Sequence, residues 1–339
     1  MRRRRGFTLI ELMVSIALFG LIAAGAMMLV MSGLRMQAHS ARLDVAQSAL
    51  RAGLDFMTRD LLSASAGMSS GSIMVGTGSL NTISFPVASN TGVNGSDVLD
   101  LYMADSSYDF ATVYNGVTTS SSSISVDQIT PFTPPQLGLL TDLANGVQIS
   151  ITSVSPPAGS PQPMGTLNIT AVGAGGFPSA TGGSYSGPNA YVFVLRHVRY
   201  SIGPCFGAAD TTYARQTCLM MDVFDNPGNT TNPQPLAEGV EDLQIAFGYD
   251  NDGDGLIQED TPASTADEWY GNASGDVMPV TLTNLKAVRI TIIAISTMNE
   301  NVKSGSYSRP AAEDHAAGTV DGFFRRTIRS EVTVRNLNI

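Results

Sequence analysis

Residues 1–34, MRRRRGFTLIELMVSIALFGLIAAGAMMLVMSGL, decide the architecture: Arg2 to Arg5 precede Gly6, and from Phe7 to Leu34 Glu11 is the one ionisable side chain. At a rise of about 1.5 Å per residue, a helix over that stretch is about 42 Å long, more than the roughly 30 Å of a bilayer core. The arginines stay on the cytoplasmic side, which places everything after Arg35 outside the cytoplasm. A secretory signal peptide has the same polarity, but its apolar run is shorter, and no convincing A-x-A-like site closes this one before Arg35.

Beyond the apolar run, Leu43, Ala46, Leu50, Leu54, Met57 and Leu61 recur at spacings of three and four, one face of a continuing helix. Arg51 with Asp55, and Asp55 with Arg59, form i,i+4 pairs on the opposite side. The pattern breaks at the Ser/Gly-rich stretch that follows Leu62. Strands are expected at 82–87, 98–103, 147–152, 166–172, 191–201, 218–224, 242–248, 285–297 and 327–336. The last alternates Ile328, Ser330, Val332 and Val334 on one face with Thr327, Arg329, Glu331, Thr333 and Arg335 on the other. Asn115 to Ser125, Ser155 to Gly165, Ala174 to Asn189 and Asp225 to Pro235 read as surface loops, too poor in apolar area to offset the entropy of ordering. The expected fold is α+β: a transmembrane helix at 7–34, its amphipathic spine at 35–66, and one β-rich, loop-decorated head at 67–339.

Composition limits what that head can do. The formal charge is −10, from 19 basic and 29 acidic side chains; without Arg2 to Arg5 it becomes −14, from 15 basic and 29 acidic. Such a surface disfavours direct contact with nucleic acid or anionic lipid. Low charge content and abundant Gly, Ser, Thr and Asn suit a secreted β-rich domain better than a cytosolic enzyme. The two cysteines, Cys205 and Cys218, are either a disulfide or two buried thiols, and an oxidising compartment favours the disulfide. With no further Cys and no nearby His, a zinc site is not expected.

Asp250-Asn251-Asp252-Gly253-Asp254-Gly255-Leu256-Ile257-Gln258-Glu259-Asp260 carries carboxylates at positions one, three and five, glycine at six and an apolar residue at eight, like the first part of an EF-hand calcium loop. Asp250, Asp252 and Asp254 offer side-chain oxygens and Leu256 its carbonyl. Position twelve is Thr261, so Glu259 or Asp260 must substitute for the usual glutamate. An expected strand precedes the loop where an EF-hand has a helix, and a plain Asp/Gly turn has a similar sequence. Structural calcium is the expected cofactor, because three close carboxylates repel unless a cation or solvent screens them.

Catalytic signatures are poor. Gly67-Met68-Ser69-Ser70-Gly71 satisfies G-x-S-x-G but follows a helix instead of a strand. His39, His197 and His315 are scattered, without H-E-x-x-H or a phosphate-binding loop, so no enzyme is expected. His197, in an apolar strand run, reads as a packed or surface side chain.

Arg5 through Glu11 closely resembles the class III signal of type IV pilins and type II secretion pseudopilins. The resemblance implies that residues 1–6 are a leader removed by prepilin peptidase between Gly6 and Phe7, with methylation of the Phe7 amine. It also implies that Glu11 neutralises the Phe7 amino group of a neighbouring subunit during assembly. Burying that carboxylate in a membrane costs about 2.5–3.5 kcal/mol on the mild insertion scale, so a cationic partner is physically required unless it snorkels to the interface.

The motif 236–244, LAEGVEDLQ, the Asp-rich turn, Leu285 to Arg289, Phe324-Arg325-Arg326 and Val334-Arg335-Asn336 resemble the C-terminal half of PilW-type minor pilins. That resemblance implies a pilin-like fold and a subunit that primes polymerisation at the inner membrane and stays near the pilus tip. Its implied partners are other minor pilins, the major pilin and the inner-membrane assembly platform. The alternatives are a J-type pseudopilin of type II secretion and a pilus-tip adhesive module.

Overall fold

The computed structural model describes residues 9–64, 72–75, 78–81, 83–84, 95–105, 107–114, 117, 121–143, 146–156, 165–171, 190–205, 217–224, 232–258, 268–271, 284–295, 307–321 and 323–334. A single helix, α1 (Leu9–Ser63), runs for 55 residues. Its first part, Leu9–Leu34, has a mean hydropathy of 2.4 and no buried residue, so it stands clear of the head and is long and apolar enough to cross a membrane. The second part does the opposite. Leu50, Met57 and Leu61 are buried and Leu54 packs beside them, at about 1.5–3 kcal/mol for each fully buried side chain.

Among the described residues, eighteen strands follow. β1 (Ser72–Val75), β2 (Gly78–Asn81), β3 (Ile83–Ser84), β4 (Leu99–Ala104), β5 (Ala111–Thr112), β6 (Ser123–Val126), β7 (Gln136–Thr141), β8 (Gly146–Ser155) and β9 (Gly165–Ala171) precede the long β10 (Tyr191–Pro204). After it come β11 (Thr217–Phe224), β12 (Gln234–Glu238), β13 (Val240–Tyr249), β14 (Trp269–Tyr270), β15 (Leu285–Ile295), β16 (Tyr307–Ser308), β17 (Val320–Asp321) and β18 (Arg325–Thr333). A twelve-stranded sheet is organised along the order β12-β11-β10-β7-β8-β1-β2, a four-stranded sheet has the order β14-β13-β15-β18, and β16 pairs with β17.

β10 joins two apolar cores. Near its start it pairs with β5 and β7, and Val192 and Val194 enter a core with Ile124, Leu140, Ile149 and Leu167. Further along it pairs with β4 and β11, and Val198, Tyr200 and Ile202 enter the core that receives the helix. Ile245, Phe247, Ile290 and Ile292 close that core from the four-stranded sheet, so the spine is held between two sheets.

The helix also makes a polar contact there. The Tyr200 hydroxyl donates to Asp60 at 2.7 Å, and Arg196 lies 3.7 Å from the same carboxylate. Burial, reinforced by Asp60, pushes the Tyr200 phenol far above its ordinary range. At Gly53 an added Cβ would sit 2.6 Å from a Leu219 methyl, so glycine sets how closely the helix approaches the sheet.

Most strand expectations lie within two residues of the observed ends. Residues 82, 85–87, 172, 296–297 and 335–336, the Ser/Gly stretch 65–71 and the side chains of Leu43 and Ala46 are outside the described set. Arg51, Asp55 and Arg59 are exposed as expected, but Arg59 has its neighbour Asp60 at 3.6 Å as an ionic partner. Two loop assignments are corrected. Ser123 to Ser125 belong to β6, where pairing with β9 and full burial of Ile124 order a serine-rich run. Gln234 and Pro235 start β12, an edge strand whose outer side leaves proline's missing donor unneeded.

Cys205 and Cys218 form a disulfide, with Met220 packed beside it, that ties the end of β10 to β11. Closing a loop of that size is worth about 3 kcal/mol in the chain-entropy model. Replacing both cysteines with serine is therefore expected to lower the Tm of the detergent-solubilised protein by about 6–12 °C. An unchanged Tm would show that the paired strands hold this corner without the crosslink.

Candidate functional site

Glu11 sits in the first turn of α1, where the helix dipole favours a negative charge by about 0.3–1 kcal/mol. Gly6 and Phe7, the expected processing site, are outside the described residues. The exposed run to Leu34 presents apolar side chains on every side, as a helix surrounded by lipid or by other helices must. This end of the molecule is an apolar rod with a single carboxylate in its first turn.

A second group lies in the turn that follows β13. Asp250, Asp252 and Asp254 place one carboxylate oxygen each within 4.8 Å of one another, with Asp250 buried and the other two exposed. Asp250 accepts from the Gly253 and Gly255 amides at 2.8 and 3.2 Å, and both glycines have positive φ, +81° and +82°. Asp252 accepts from the Asp254 amide at 3.0 Å, and Asp254 from the Leu256 amide at 2.7 Å. Ile257 anchors the turn, because Gly248 leaves it room: a Cβ there would lie 2.9 Å from the Ile257 methyl.

Glu259 and Asp260 are outside the described residues. The acidic residue that closes the turn is Glu268, which the sequence reading missed. Buried to 3% exposure, it accepts from the Asn251 and Gln258 amides at 2.8 and 3.0 Å. Nothing local marks it, since its role depends on β14 folding back against β13. Three convergent carboxylates fit a hard cation that keeps several waters, while Glu268 is committed to the loop backbone.

The C-terminal motifs form one charged layer on the face of the four-stranded sheet away from the helix. Glu241 of the 236–244 motif accepts from Arg325 of Phe324-Arg325-Arg326 at 2.9 Å, and Asp321 accepts from the same guanidinium at 2.6 Å. Asp242 is buried and meets Arg309 at 2.6 Å and His315 at 2.9 Å. Arg289, which ends the 285–289 motif, is 1% exposed, lies 4.1 Å over the Trp269 ring and holds Glu313 at 2.6 Å. Gly239, with φ +73°, makes the turn that brings Glu241 and Asp242 onto β13. These residues therefore organise the head.

His197 is packed, as expected. Its ring is stacked between Tyr102 at 4.1 Å and Phe224 at 4.5 Å, with Nε2 2.7 Å from Asp100. Burial alone raises the Asp100 pKa, but hydrogen bonds from His197 and Arg199 outweigh it and hold the carboxyl below its ordinary range. Among the described side chains His197 and His315 are apart: His315 is on the charged layer, and the side chain of His39 is outside the described set.

The model of the family described as Type IV Pilus-assembly protein W matches residues 206–336, and that of the prokaryotic N-terminal methylation motif matches residues 1–27. Over these two stretches the chain is similar to PilW-type and other type IV pilin-like proteins. Among solved structures, the type IV-like pilin from Thermus thermophilus is similar at 10% identity, over 86% of this chain and 96% of that chain, with a TM-score of 0.38. No curated protein sequence matches significantly. The two matched regions hold separate parts of the molecule: the methylation-motif match covers the apolar end of the helix, and the Pilus-assembly protein W match the charged layer and the Asp turn.

Proposed function

We propose that this pilin is a low-copy minor subunit that helps prime polymerisation of the major pilin and remains at or near the pilus tip. The observation that carries the reading is the pairing of a methylation-motif helix with a head containing two apolar cores. A head that bulky, repeated at every step of a thin filament, would crowd its neighbours, while one or a few copies would not. In this reading the helix spans the inner membrane with its N-terminus in the cytoplasm, and prepilin peptidase cuts after Gly6. The other minor pilins, the major pilin and the assembly platform are its partners.

Deletion of the gene, followed by counting surface pili, tests this. Loss of pili that the wild-type gene restores is the expected result. Normal pilus number with lost attachment would replace priming by adhesion, and normal pili with failed protein secretion would point to the J-type pseudopilin.

We also propose that Asp250, Asp252 and Asp254, with the Leu256 carbonyl, hold a structural calcium ion. The convergence of the three carboxylates supports this, in a turn that Gly253 and Gly255 shape with positive φ. For a weak extracellular-type site with Kd of about 10⁻⁴–10⁻³ M, about 2 mM calcium contributes about 0.6–1.8 kcal/mol. Calcium is therefore expected to raise the Tm by about 2–6 °C over the chelator-treated protein, and Asp252→Ala, exposed and so tolerated, is expected to abolish the rise. An identical calcium response in that variant would sink the assignment.

A further inference from the structure

The face of β10 opposite the spine helix carries an aromatic cluster that the assembly reading does not use. Along the strand, Val192 and Val194 point into the core, and Tyr191 and Phe193 point the other way, partly exposed. Phe110, 47% exposed, packs against both rings with centroids 5.4 Å away. Ala111 and Val113 are buried, so Tyr114, 53% exposed, shares the outward face of its segment with Phe110. Asp109 is exposed beside Phe110, and Asp127 lies at the Thr112 amide, 2.8 Å away.

Elsewhere in this head, an aromatic ring beside a carboxylate is completed by arginine. Arg199 lies 5.3 Å over Phe224 and bonds Asp100 at 2.9 Å. Arg289 lies 4.1 Å over Trp269 and bonds Glu313 at 2.6 Å. At the Phe110 cluster the rings and carboxylates are present, but among the described residues no cation lies over Phe110, Tyr114, Tyr191 or Phe193.

We infer that this face is a docking surface for a protein segment that presents arginine, which supplies the missing guanidinium. A planar guanidinium can stack on a ring while bonding a neighbouring carboxylate, which a lysine ammonium cannot do in the same way. The acidic balance of the chain disfavours anionic lipid or nucleic acid here. Because the cluster faces away from α1, a partner can engage it without displacing the spine.

The test uses the full-length protein in neutral detergent, a fluorescein-labelled hexa-arginine peptide and its hexalysine counterpart, read by fluorescence anisotropy at fixed ionic strength. Hexa-arginine is expected to bind more tightly than hexalysine. Phe110→Leu keeps the apolar bulk and every charge, and is expected to weaken arginine binding by about three- to tenfold. Tyr114→Ala, at a more exposed ring, is expected to act in the same direction and keeps the test valid if Phe110→Leu loses stability. Equal affinity in the wild type and both variants, or equal affinity for the two peptides, would mean that net charge alone attracts them and would overturn the inference. So would tighter binding of neutral oligosaccharide or zwitterionic vesicles than of hexa-arginine.

Discussion

If this protein assembles as proposed, Glu11→Ala is expected to reduce its incorporation into filaments by about a hundredfold, while its head folds normally. The estimate follows from the membrane. A carboxylate held in the bilayer costs about 2.5–3.5 kcal/mol on the mild insertion scale, and a cationic partner recovers that in the assembled state; with about 1.4 kcal/mol per factor of ten, its loss corresponds to roughly 10²-fold. Glu11→Gln should be nearly as defective, since it keeps the shape and loses the charge. The head is insulated from either change because Leu9–Leu34 has no buried residue in the structure. The measurement compares the subunit in sheared surface filaments with the subunit left in membranes, with Tm as the folding control. Wild-type amounts of Glu11→Ala in sheared filaments would mean that the glutamate snorkels and does not pair.

How much of this was legible in the sequence follows from the range of each interaction. Glu11 and the apolar run are local, so composition alone located them. Leu50, Leu54, Met57 and Leu61 were legible because helical periodicity repeats within four residues, and β18 because its alternation repeats within two. β7 escaped detection although all six of its residues are buried, since burial on both faces removes alternation and Gly138 interrupts the run. A Cβ at that glycine would sit 3.0 Å from an Ile151 methyl across the sheet, so a larger residue would have to push that side chain aside.

The polar layer was hidden for another reason. Glu241 and Arg325 are 84 residues apart, and no local spacing announces such a pair. The motifs around them were recognisable as family features, but why those residues occur there became clear only when β13, β15 and β18 lay side by side. The same holds for Glu268, a single acid beside a short strand. In contrast, the three aspartates of the turn were visible because their ligand-like spacing is local.

Among substitutions in the head, Arg289→Met is expected to be one of the most destabilising, at about 3–5 kcal/mol, because it strips the main cation from a buried carboxylate. Arg289 and Glu313 have side-chain exposures of 1% and 4%, so little solvent contact compensates the lost pairing. Thr291 still donates to Glu313 at 2.8 Å, and Arg329 lies 3.7 Å away but is 45% exposed, a weaker substitute. Glu313 also has φ +47°, an uncommon backbone conformation for a non-glycine residue, which the ion pair helps to hold in place. The double variant Arg289→Met with Glu313→Leu should recover most of the loss, since removing both charges leaves apolar bulk under Trp269 and no bare carboxylate. Denaturant unfolding of the full-length protein in detergent measures both. If the double variant is as unstable as the single one, the cost arises from lost packing over Trp269 and not from the orphaned charge.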